Sequence, residues 1–577
     1  MKPKFTMILM LMALGVQLVF AQQKTVSGTV SDENGLPLPG ATVIRAGTSS
    51  GTSTDFDGKY QLRANSGDVL EISYVGYTTQ SITVGASNIY NVSMTLDNTL
   101  DEVVVTALGV KAKPRELAYA VQTISADEIE NTNEVNIASS LASKSAGVQV
   151  TTSSGSVGAS ANIRIRGNTS INRSNSPLFV VDGVPIDNSS SLNETGGVDN
   201  SNRAIDINQN DIASINILKG TAAQALYGLR ASNGVILITT KSGKSGKPKV
   251  TISSSLSISE VTNLPELQKK YAQGRPSGGQ LKWRGPETGE GFSWGPAISS
   301  LEFDGSDYAY DKGGKLVAKG SGNGVPARAY DNYNFFVNGV STDLNISVGG
   351  GNEKVKYFVS AGKNDQTGTS PTEKFSKKSF RANINSDLSK KINLSASGTY
   401  VTSGGTRVQR GSNISGIMLG LLRTTPTFDN GNGLSGKSAV GEKSVYQLQN
   451  GKQRSYRGGI YDNPFWTVAK NPSTDDVKRF IGNLQLSYRA NDWLTIQGKY
   501  GYDSFTDFRK LGIDINSATD RNGSVIDRTE INTDINAQLL FLLEKDLNEK
   551  VNLSGSFGYD QYKSDKLIRR VKGLGLT

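Results

Sequence analysis

Apolar and polar residues alternate with a period of two in nine stretches of the C-terminal half of this chain. Such a period places successive side chains on opposite faces of a β-strand. Each stretch is close to the ~9–11 residues that a tilted strand needs to cross a bilayer, although soluble sandwiches alternate in the same way. The nine predicted strands cover approximately residues 249–259, 342–350, 354–363, 378–388, 391–402, 478–489, 492–503, 531–544 and 550–561.

In an antiparallel transmembrane β-barrel over residues 248–577, these strands would present an apolar face to lipid and a polar face to a wet lumen. Alternation alone fits soluble sandwiches equally well, and the signal peptide and the resemblance given below favour the barrel. Aromatic residues near the predicted strand ends suit interfacial girdles, and they include Trp493, Tyr488 and Tyr400. The long intervals 260–341 and 403–477 are predicted to be extracellular loops, with a helix over Ile414–Arg423.

The strand count limits how complete the barrel can be. Nine is an odd number, and it is too few, because a lumen that encloses a domain needs on the order of 22 strands. Open sheet edges in lipid would also leave backbone groups without hydrogen bonds. We therefore expect a fragment that lacks more than half of its barrel.

The N-terminus has the pattern of a secretory signal peptide over residues 1–21. Lys2 and Lys4 precede an apolar run, and Ala21 and Gln22 flank the predicted cleavage site. The run is too short for a membrane span, and a retained N-terminal anchor is the alternative. Because no later stretch approaches ~20 apolar residues, no transmembrane helix is predicted.

The chain contains no cysteine and no histidine. Disulfides, thiolate nucleophiles, histidine-based triads and the common zinc sites are therefore excluded. We find no Walker pattern and no recognisable carboxylate pair, so we predict no enzymatic activity, no cofactor and no metal. The 62 basic and 52 acidic residues give a net charge of +10, which is spread along the chain. This distribution predicts solvated loops rather than nucleic-acid binding.

Short strand patterns alternate with turn signals over residues 22–97, which predicts a small β-sandwich of immunoglobulin-like shape. The segment resembles the carboxypeptidase-regulatory-like domain, and it carries no catalytic constellation that we can find. We therefore expect a folding or docking module. The motifs that carry the resemblance are Gly-Thr-Val-Ser-Asp (28–32), Gly-Ala-Thr-Val (40–43), Thr-Asp-Phe-Asp-Gly-Lys-Tyr (54–60) and Tyr-Val-Gly-Tyr (74–77).

Three consecutive valines, Val103 to Val105, lie in a linker over residues 98–112. Branching at Cβ favours an extended backbone, but the linker offers no obvious partner strand. The valines form either an ordinary buried strand or a strand that pairs with the sheet edge of another protein.

Residues 113–247 mix helix and strand signals, which predicts a compact α+β domain. A capping box, Ser125 to Glu128, begins one helix, and a second helix is predicted over Val135 to Lys144. Arg164 and Arg166 are two residues apart in a predicted strand, so they share a face that must meet water or carboxylates. The strands are predicted over residues 147–150, 163–166, 178–181, 215–218 and 235–239.

Four motifs of this domain resemble the plug of TonB-dependent outer-membrane receptors. The sandwich and the valine strand ahead of it narrow the resemblance to the SusC/RagA-type subfamily. Leu229 is one departure, because the family usually has a smaller residue there. The motifs are Ile-Arg-Ile-Arg-Gly-Asn-Thr-Ser (163–170), Val-Val-Asp-Gly-Val-Pro-Ile (180–186), Ile-Leu-Lys-Gly-Thr-Ala-Ala-Gln-Ala-Leu-Tyr-Gly (217–228) and Asn-Gly-Val-Ile-Leu-Ile-Thr-Thr-Lys-Ser-Gly (233–243).

The resemblance implies a mainly β chain with an N-terminal β-sandwich, an α+β plug and an incomplete transmembrane β-barrel. It also implies roles for particular residues, although a role in the fold alone is the alternative for those in the plug. The TonB box, which TonB captures, would be Asp101, Glu102, Val103, Val104, Val105, Thr106 and Ala107. The plug contacts with the lumen wall would be Arg164, Arg166 and Asp182, with the two arginines facing acidic wall residues. The plug turns would be formed by Gly167, Gly183, Pro185, Gly220 and Gly228.

The resemblance further implies TonB-dependent import of an oligosaccharide or peptide across the outer membrane, driven by proton-motive force. A SusD-like surface lipoprotein would be a partner, and the sandwich and TonB box would be periplasmic. The alternatives are a siderophore or cobalamin receptor, and an exported β-rich adhesin without transport. Six loop aromatics are candidates to face the ligand, although packing within their own loop is the alternative: Tyr308, Tyr310, Tyr330, Tyr333, Phe335 and Phe336.

Overall fold

The computed structural model shows a mainly β chain, as predicted, in two compact units. One unit comprises Met1–Val104 and Lys111–Leu117, and the other comprises Val105–Val110 and Ala118–Thr577. The predicted signal peptide, with Ala21 and Gln22, lies outside the described residues. In the described ranges, no helix combines the length and the apolar character needed to cross a membrane. The structure describes residues 24–33, 35–48, 50–74, 77–95, 104–105, 111–112, 121–130, 134–172, 174–190, 197–220, 223–224, 227–548 and 551–576.

The first unit contains the predicted β-sandwich. Its two sheets have the strand orders β4-β1-β7 and β3-β2-β5-β6, and only the β1–β7 pair is parallel. Alternate side chains of β4 are buried, so the period-2 pattern delivers one face of the strand to an apolar core. The strands are β1 (Lys24–Asp32), β2 (Thr42–Arg45), β3 (Gly51–Ser53), β4 (Lys59–Ala64), β5 (Val69–Ser73), β6 (Gln80–Thr83) and β7 (Val92–Met94).

The valine strand is only partly described. Two of its residues form β8 (Val104–Val105), which pairs with β9 (Lys111–Ala112). The expectation of no nearby partner is therefore wrong for these two residues, because a short connection is enough to bring two strands side by side. The predicted TonB-box residues Asp101, Glu102, Val103, Thr106 and Ala107 lie outside the described residues.

The plug has the predicted α+β composition. A five-stranded sheet of order β10-β15-β16-β13-β14 stands beside the hairpin β11-β12 around one apolar core. Its helices span Ala126–Glu130 and Ile137–Ser140, so the second is shorter than predicted. The strands are β10 (Val121–Ser125), β11 (Val148–Thr152), β12 (Ala161–Ile165), β13 (Leu178–Val181), β14 (Val184–Ile186), β15 (Ile212–Leu218) and β16 (Val235–Thr240).

All nine predicted long strands are present, and they form one antiparallel sheet, which we call the wall. The wall strands are β17 and β22 to β29, and four short loop strands lie between the first two. The strands in chain order are β17 (Gly246–Ser259), β18 (Gly274–Ser277), β19 (Gln280–Trp283), β20 (Leu301–Phe303), β21 (Leu316–Ala318), β22 (Gly339–Gly351), β23 (Val355–Thr367), β24 (Lys374–Asp387), β25 (Ile392–Arg407), β26 (Ser473–Arg489), β27 (Leu494–Ile513), β28 (Ser524–Asn548) and β29 (Val551–Leu574).

Most wall strands are longer than the sequence predicts, and β28 reaches 25 residues. The extra residues lie mainly at the ends that lead into the long loops. Beyond the apolar band the outward-facing side chains become polar, so the alternation of hydrophobicity ends while the backbone pairing continues.

The two predicted long loops are folded. One apolar cluster is built around Phe303, and another around Phe335 and Trp466. The predicted helix is present over Ile417–Arg423, and two further helices span Gly436–Gly441 and Pro464–Lys470.

The sandwich core gives a first prediction. Leu70 is fully buried, whereas Phe56 is 92% exposed. In a fragment of residues 22–97, Leu70→Ala should lower the free energy of unfolding by ~2–5 kcal/mol, because it leaves a cavity. Phe56→Ala should change it by less than about 0.5 kcal/mol. Urea denaturation measures both, and equal effects would show that this core does not hold the unit together.

Candidate functional site

Arg479 joins the wall to the plug. It lies on the inner face of β26 and is fully buried. Its Nε and Nη2 atoms donate to the Asp503 carboxylate at 2.8 and 2.7 Å, in a bidentate pair. Its Nη1 donates to the Arg203 carbonyl at 2.8 Å and to Asp206 Oδ2 at 3.3 Å. Its Nη2 also donates to the Asp187 carbonyl at 2.9 Å. One guanidinium therefore holds two separate segments of the plug.

The same five residues, which we call the Arg479 cluster, bring two arginines and three aspartates together. Arg203 and Asp206 belong to one short 3-10 helix and form a buried ion pair at 3.5 Å. The Asp187 amide donates to Asp503 Oδ2 at 3.0 Å. A buried charge is tolerated when it is paired and hydrogen-bonded, and the guanidinium of Arg479 meets this condition across the interface.

A second contact is made by the plug turn Asp182–Gly183, which joins β13 to β14. Both residues have positive φ, 48° and 76°, as a two-residue type I′ turn requires. Asp182 Oδ2 forms an ion pair with Arg381 Nη2 at 2.7 Å, and its carbonyl accepts from Lys499 Nζ at 2.9 Å. A Cβ on Gly183 would lie 2.0 Å from Lys499 Nζ. Glycine is therefore needed here both for the turn and for the close approach.

Further inward-facing cations of the wall bind plug backbone groups. Lys377 Nζ donates to the carbonyls of Ile205 and Ile207 at 3.0 and 3.3 Å. Arg407 pairs with Asp475 on the neighbouring strand at 2.6 Å and donates to Ser201 Oγ at 2.9 Å. Many of the contacts between plug and wall are thus polar, although Ile481 of the wall also packs into the apolar core of the plug.

Comparison with known proteins agrees with this architecture. Residues 113–235 match the TonB-dependent receptor plug domain, and residues 26–105 match the CarboxypepD_reg-like domain. The TonB-dependent receptor SusC of Bacteroides thetaiotaomicron is 32% identical over 508 residues, which cover 84% of this chain and 45% of SusC. Together these matches support a SusC/RagA-type TonB-dependent receptor.

A second receptor and a solved structure show a similar relationship. The TonB-dependent receptor P26 of Formosa agariphila is 33% identical over 482 residues, covering 83% of this chain and 42% of P26. The RagAB peptide importer in the open-open state has a TM-score of 0.60 at 20% identity, covering 82% of this chain and 50% of that chain, which supports the same fold. The chain spans less than half the length of the curated relatives it matches.

The predicted plug arginines are placed differently from the expectation. Arg164 lies in β12 and is half-buried, whereas Arg166 lies just beyond the end of that strand, so the two do not share a strand face as predicted. Neither forms an ion pair within the described residues. Arg166 is exposed, with a φ of 59°. The expected ion pairs had cations on the plug and carboxylates on the wall. The ion pairs between plug and wall have the opposite arrangement, as Arg381 of the wall and Asp182 of the plug illustrate.

The predicted turn residues lie in tight backbone positions. Gly167, Gly220 and Gly228 have φ values of 90°, 75° and 66°, which side-chain-bearing residues rarely adopt. Pro185 is in β14, an edge strand of the plug sheet. An edge strand tolerates proline because one side of its backbone needs no partner.

Sequence reasoning missed the wall residues that bind the plug. The sequence did contain a signal for these residues. Some inward-facing positions of the predicted strands carry charged side chains, where small polar side chains would be enough to line a lumen. Arg479, Lys499 and Asp503 are examples, in the predicted strands 478–489 and 492–503. The partner of each residue could not be read from the pattern.

The loop aromatics pack largely within the loops. Phe335 is fully buried and contacts Phe465 at 5.0 Å between ring centroids, so the expectation that it faces a ligand is wrong. Phe336 packs edge-on against Phe335 at 5.6 Å. Tyr310 lies 5.5 Å from the Tyr308 ring.

The tyrosine hydroxyls are also used within the loops. Tyr308 bonds to Glu287, Tyr330 donates to Asp311 at 2.7 Å, and Tyr333 donates to the Pro265 carbonyl at 2.6 Å. Burial raises the pKa of Tyr330 to about 12. These contacts favour the packing interpretation over direct ligand contact.

Arg454 connects three parts of the loops. Its guanidinium donates to the carbonyls of Asp429 at 2.7 Å and Val445 at 3.2 Å, and also to that of Tyr310. It lies over the Phe428 ring at 4.6 Å. Burial lowers the pKa of Arg454 to about 10, so the group remains charged at neutral pH.

Arg479→Ala should loosen the plug. The variant leaves the carboxylates of Asp503 and Asp206 buried without this cation, which costs about 3–5 kcal/mol. Cells carrying the full-length variant should become sensitive to a large antibiotic that the outer membrane normally excludes. Arg489→Ala is the matched control, because Arg489 is exposed on the same strand. Equal sensitivity of the two variants would contradict a role for Arg479 in closure.

Arg454→Met should loosen the loops without opening the plug. The substitution keeps much of the side-chain volume but removes the hydrogen bonds to three carbonyls, each worth ~0.5–1.5 kcal/mol or more for a charged donor. Limited proteolysis of whole cells should cut between residues 403 and 477 faster than in the wild type. Unchanged cleavage would show that the apolar cluster alone holds these loops.

Proposed function

We propose that the full-length protein imports an oligosaccharide or peptide across the outer membrane in a TonB-dependent manner. Membership of the receptor family supports outer-membrane nutrient import. The neighbouring RagAB structure is of a peptide importer, and this likeness supports including peptides among the substrates. The relatives are receptors and transporters, which supports a transport role rather than an enzymatic one.

The polar interface between plug and wall is the observation that carries this proposal. A domain held by an apolar interface would expose that surface to water whenever it moved, at about 25 cal/mol per Å². A domain held by hydrogen bonds exchanges them for bonds to water, at a net cost of ~0.5–1.5 kcal/mol for each neutral bond and ~1.5–3 kcal/mol for each bond to a charged group. The contacts of Arg479, Arg381 and Lys377 therefore suit a plug that must be firmly seated and yet removable by force.

TonB would supply that force by capturing the TonB box, Asp101–Ala107. Strand addition gives affinity through backbone hydrogen bonds, and Val103–Val105 have the extended preference that it needs. The β8–β9 pairing would be exchanged for pairing with TonB. Proton-motive force at the inner membrane would then remodel or withdraw the plug. A SusD-like surface lipoprotein would deliver the substrate on the outer side.

Deletion of Asp101–Ala107 should abolish substrate uptake and leave surface binding unchanged, because the deletion removes the point where force is applied but not the binding surface. Uptake and binding of a fluorescent oligosaccharide or peptide in whole cells measure the two properties separately. Replacement of residues 96–100 by an equal length of glycine and serine is the matched control, and it should retain uptake. Uptake that survives the deletion would refute the TonB-box assignment.

A further inference from the structure

Three aromatic side chains form a row on the outward face of the wall. Phe380, Tyr400 and Phe480 lie directly opposite one another on β24, β25 and β26. Their exposed fractions are 52%, 46% and 43%. Leu484 and Leu486 are exposed on the same face, so this face of the wall is apolar. Aromatic rings on an apolar outer face are typical of the boundary between hydrocarbon and headgroups.

A row of lysines lies immediately beyond the aromatic row. Lys378 is two residues beyond Phe380, and Lys478 is two residues beyond Phe480, each toward the end that leads into the loops. Both are exposed, and Thr402 lies between them on β25. Lys363 stands directly opposite Lys378 on β23. The register fixes the spacing, since neighbouring strands are ~4.8 Å apart.

The neighbouring carboxylates neutralise this row only in part. Asp365 pairs with Lys363 at 2.6 Å. Within the part of the chain that the structure describes, neither Lys378 nor Lys478 has a carboxylate oxygen within 4.0 Å. Like charges that stand directly opposite each other destabilise a sheet, so an anion bound between the lysines would relieve a repulsion that the fold maintains.

The end of the wall that carries this row can be assigned. The lysines lie toward the long loops, whereas the opposite ends of the strands are joined by short turns at residues 352–354, 388–391 and 490–493. In outer-membrane barrels the long loops are extracellular and the short turns periplasmic. The row therefore lies at the headgroup level of the outer leaflet, where the anions at hand are the phosphates of membrane glycolipid.

We propose that Lys378 and Lys478, with Lys363 at their side, bind a phosphate group of an outer-leaflet glycolipid whose acyl chains lie along the aromatic row. The ligand is a lipid, because the site opens toward the bilayer rather than toward the lumen. Other charged groups on the same outward face are Lys374 and Lys510 beyond the row, and Asp476 next to Lys478. The net charge of the outward face around the row therefore remains positive, which favours binding of an anionic headgroup.

The test uses the purified full-length protein in detergent and lipid A as the probe, either phosphorylated or enzymatically dephosphorylated. The double variant K378Q/K478Q should bind phosphorylated lipid A roughly 25-fold more weakly than the wild type, since each lysine near an anionic headgroup contributes about fivefold. Native mass spectrometry or tryptophan fluorescence measures the affinity. The wild type should also prefer the phosphorylated form to the dephosphorylated one.

K390Q/K391Q is the matched control, because both lysines are exposed at a short-turn end of the wall. It removes the same charge and should bind lipid A as the wild type does. Equal loss in the two double variants would overturn the site in favour of a general charge effect. Equal retention in both, or no preference of the wild type for phosphorylated lipid A, would also overturn it. Heat-modifiable gel mobility confirms that each variant is folded.

Discussion

The pairing of Arg479 with Asp503 is the interaction on which the arrangement of plug and wall depends. Both side chains are buried, and a lone charge in that position would cost several kcal/mol. The wall therefore supplies a cation and an anion together on neighbouring strands. The guanidinium then has donors left over for the carbonyls of Arg203 and Asp187. One ion pair of Arg479 therefore lies within the wall, and the plug is held by its further hydrogen bonds and by its ion pair with Asp206.

The chain contains two kinds of interior with different mechanical properties. The plug core and the loop clusters are apolar and closely packed, so moving any one residue disturbs many contacts. The interface between plug and wall contains many polar contacts that water can replace, and Ile481 adds an apolar one. Regions with such exchangeable contacts open at lower free energy than packed cores. We therefore expect this interface to open before the core of the plug does.

Much of the fold could be predicted from the sequence because a half-buried β-strand alternates apolar and polar residues with a period of two. The wall strands and the sandwich were recognisable because each buries one face of alternating side chains, whereas the plug strands are short apolar runs buried on both faces. The strand ends were harder to predict. β28 begins at Ser524, seven residues before the predicted start near residue 531, because backbone pairing does not require apolar side chains. The β8–β9 pair was missed because two residues carry too short a pattern.

The contacts of the site were harder to predict than its parts. An inward-facing Arg479 looks in sequence like any residue that lines a wet lumen, and only the register places Asp503 and the plug around it. Phe335 likewise resembles an exposed loop aromatic until its packing against Phe465 is known. Alternation identifies the face on which a side chain lies, and three-dimensional register decides what it meets there.

The close approach of Gly183 to Lys499 links two positions that are far apart in the chain. Any side chain larger than hydrogen at position 183 would occupy the space of the ammonium group, and any displaced ammonium group would give up its bond to the Asp182 carbonyl. A shorter residue in place of Lys499 would remove this contact, but the φ of 76° would still favour glycine at position 183. The turn therefore restricts position 183 whatever residue stands at position 499, while Lys499 depends on that glycine for its bond to the Asp182 carbonyl.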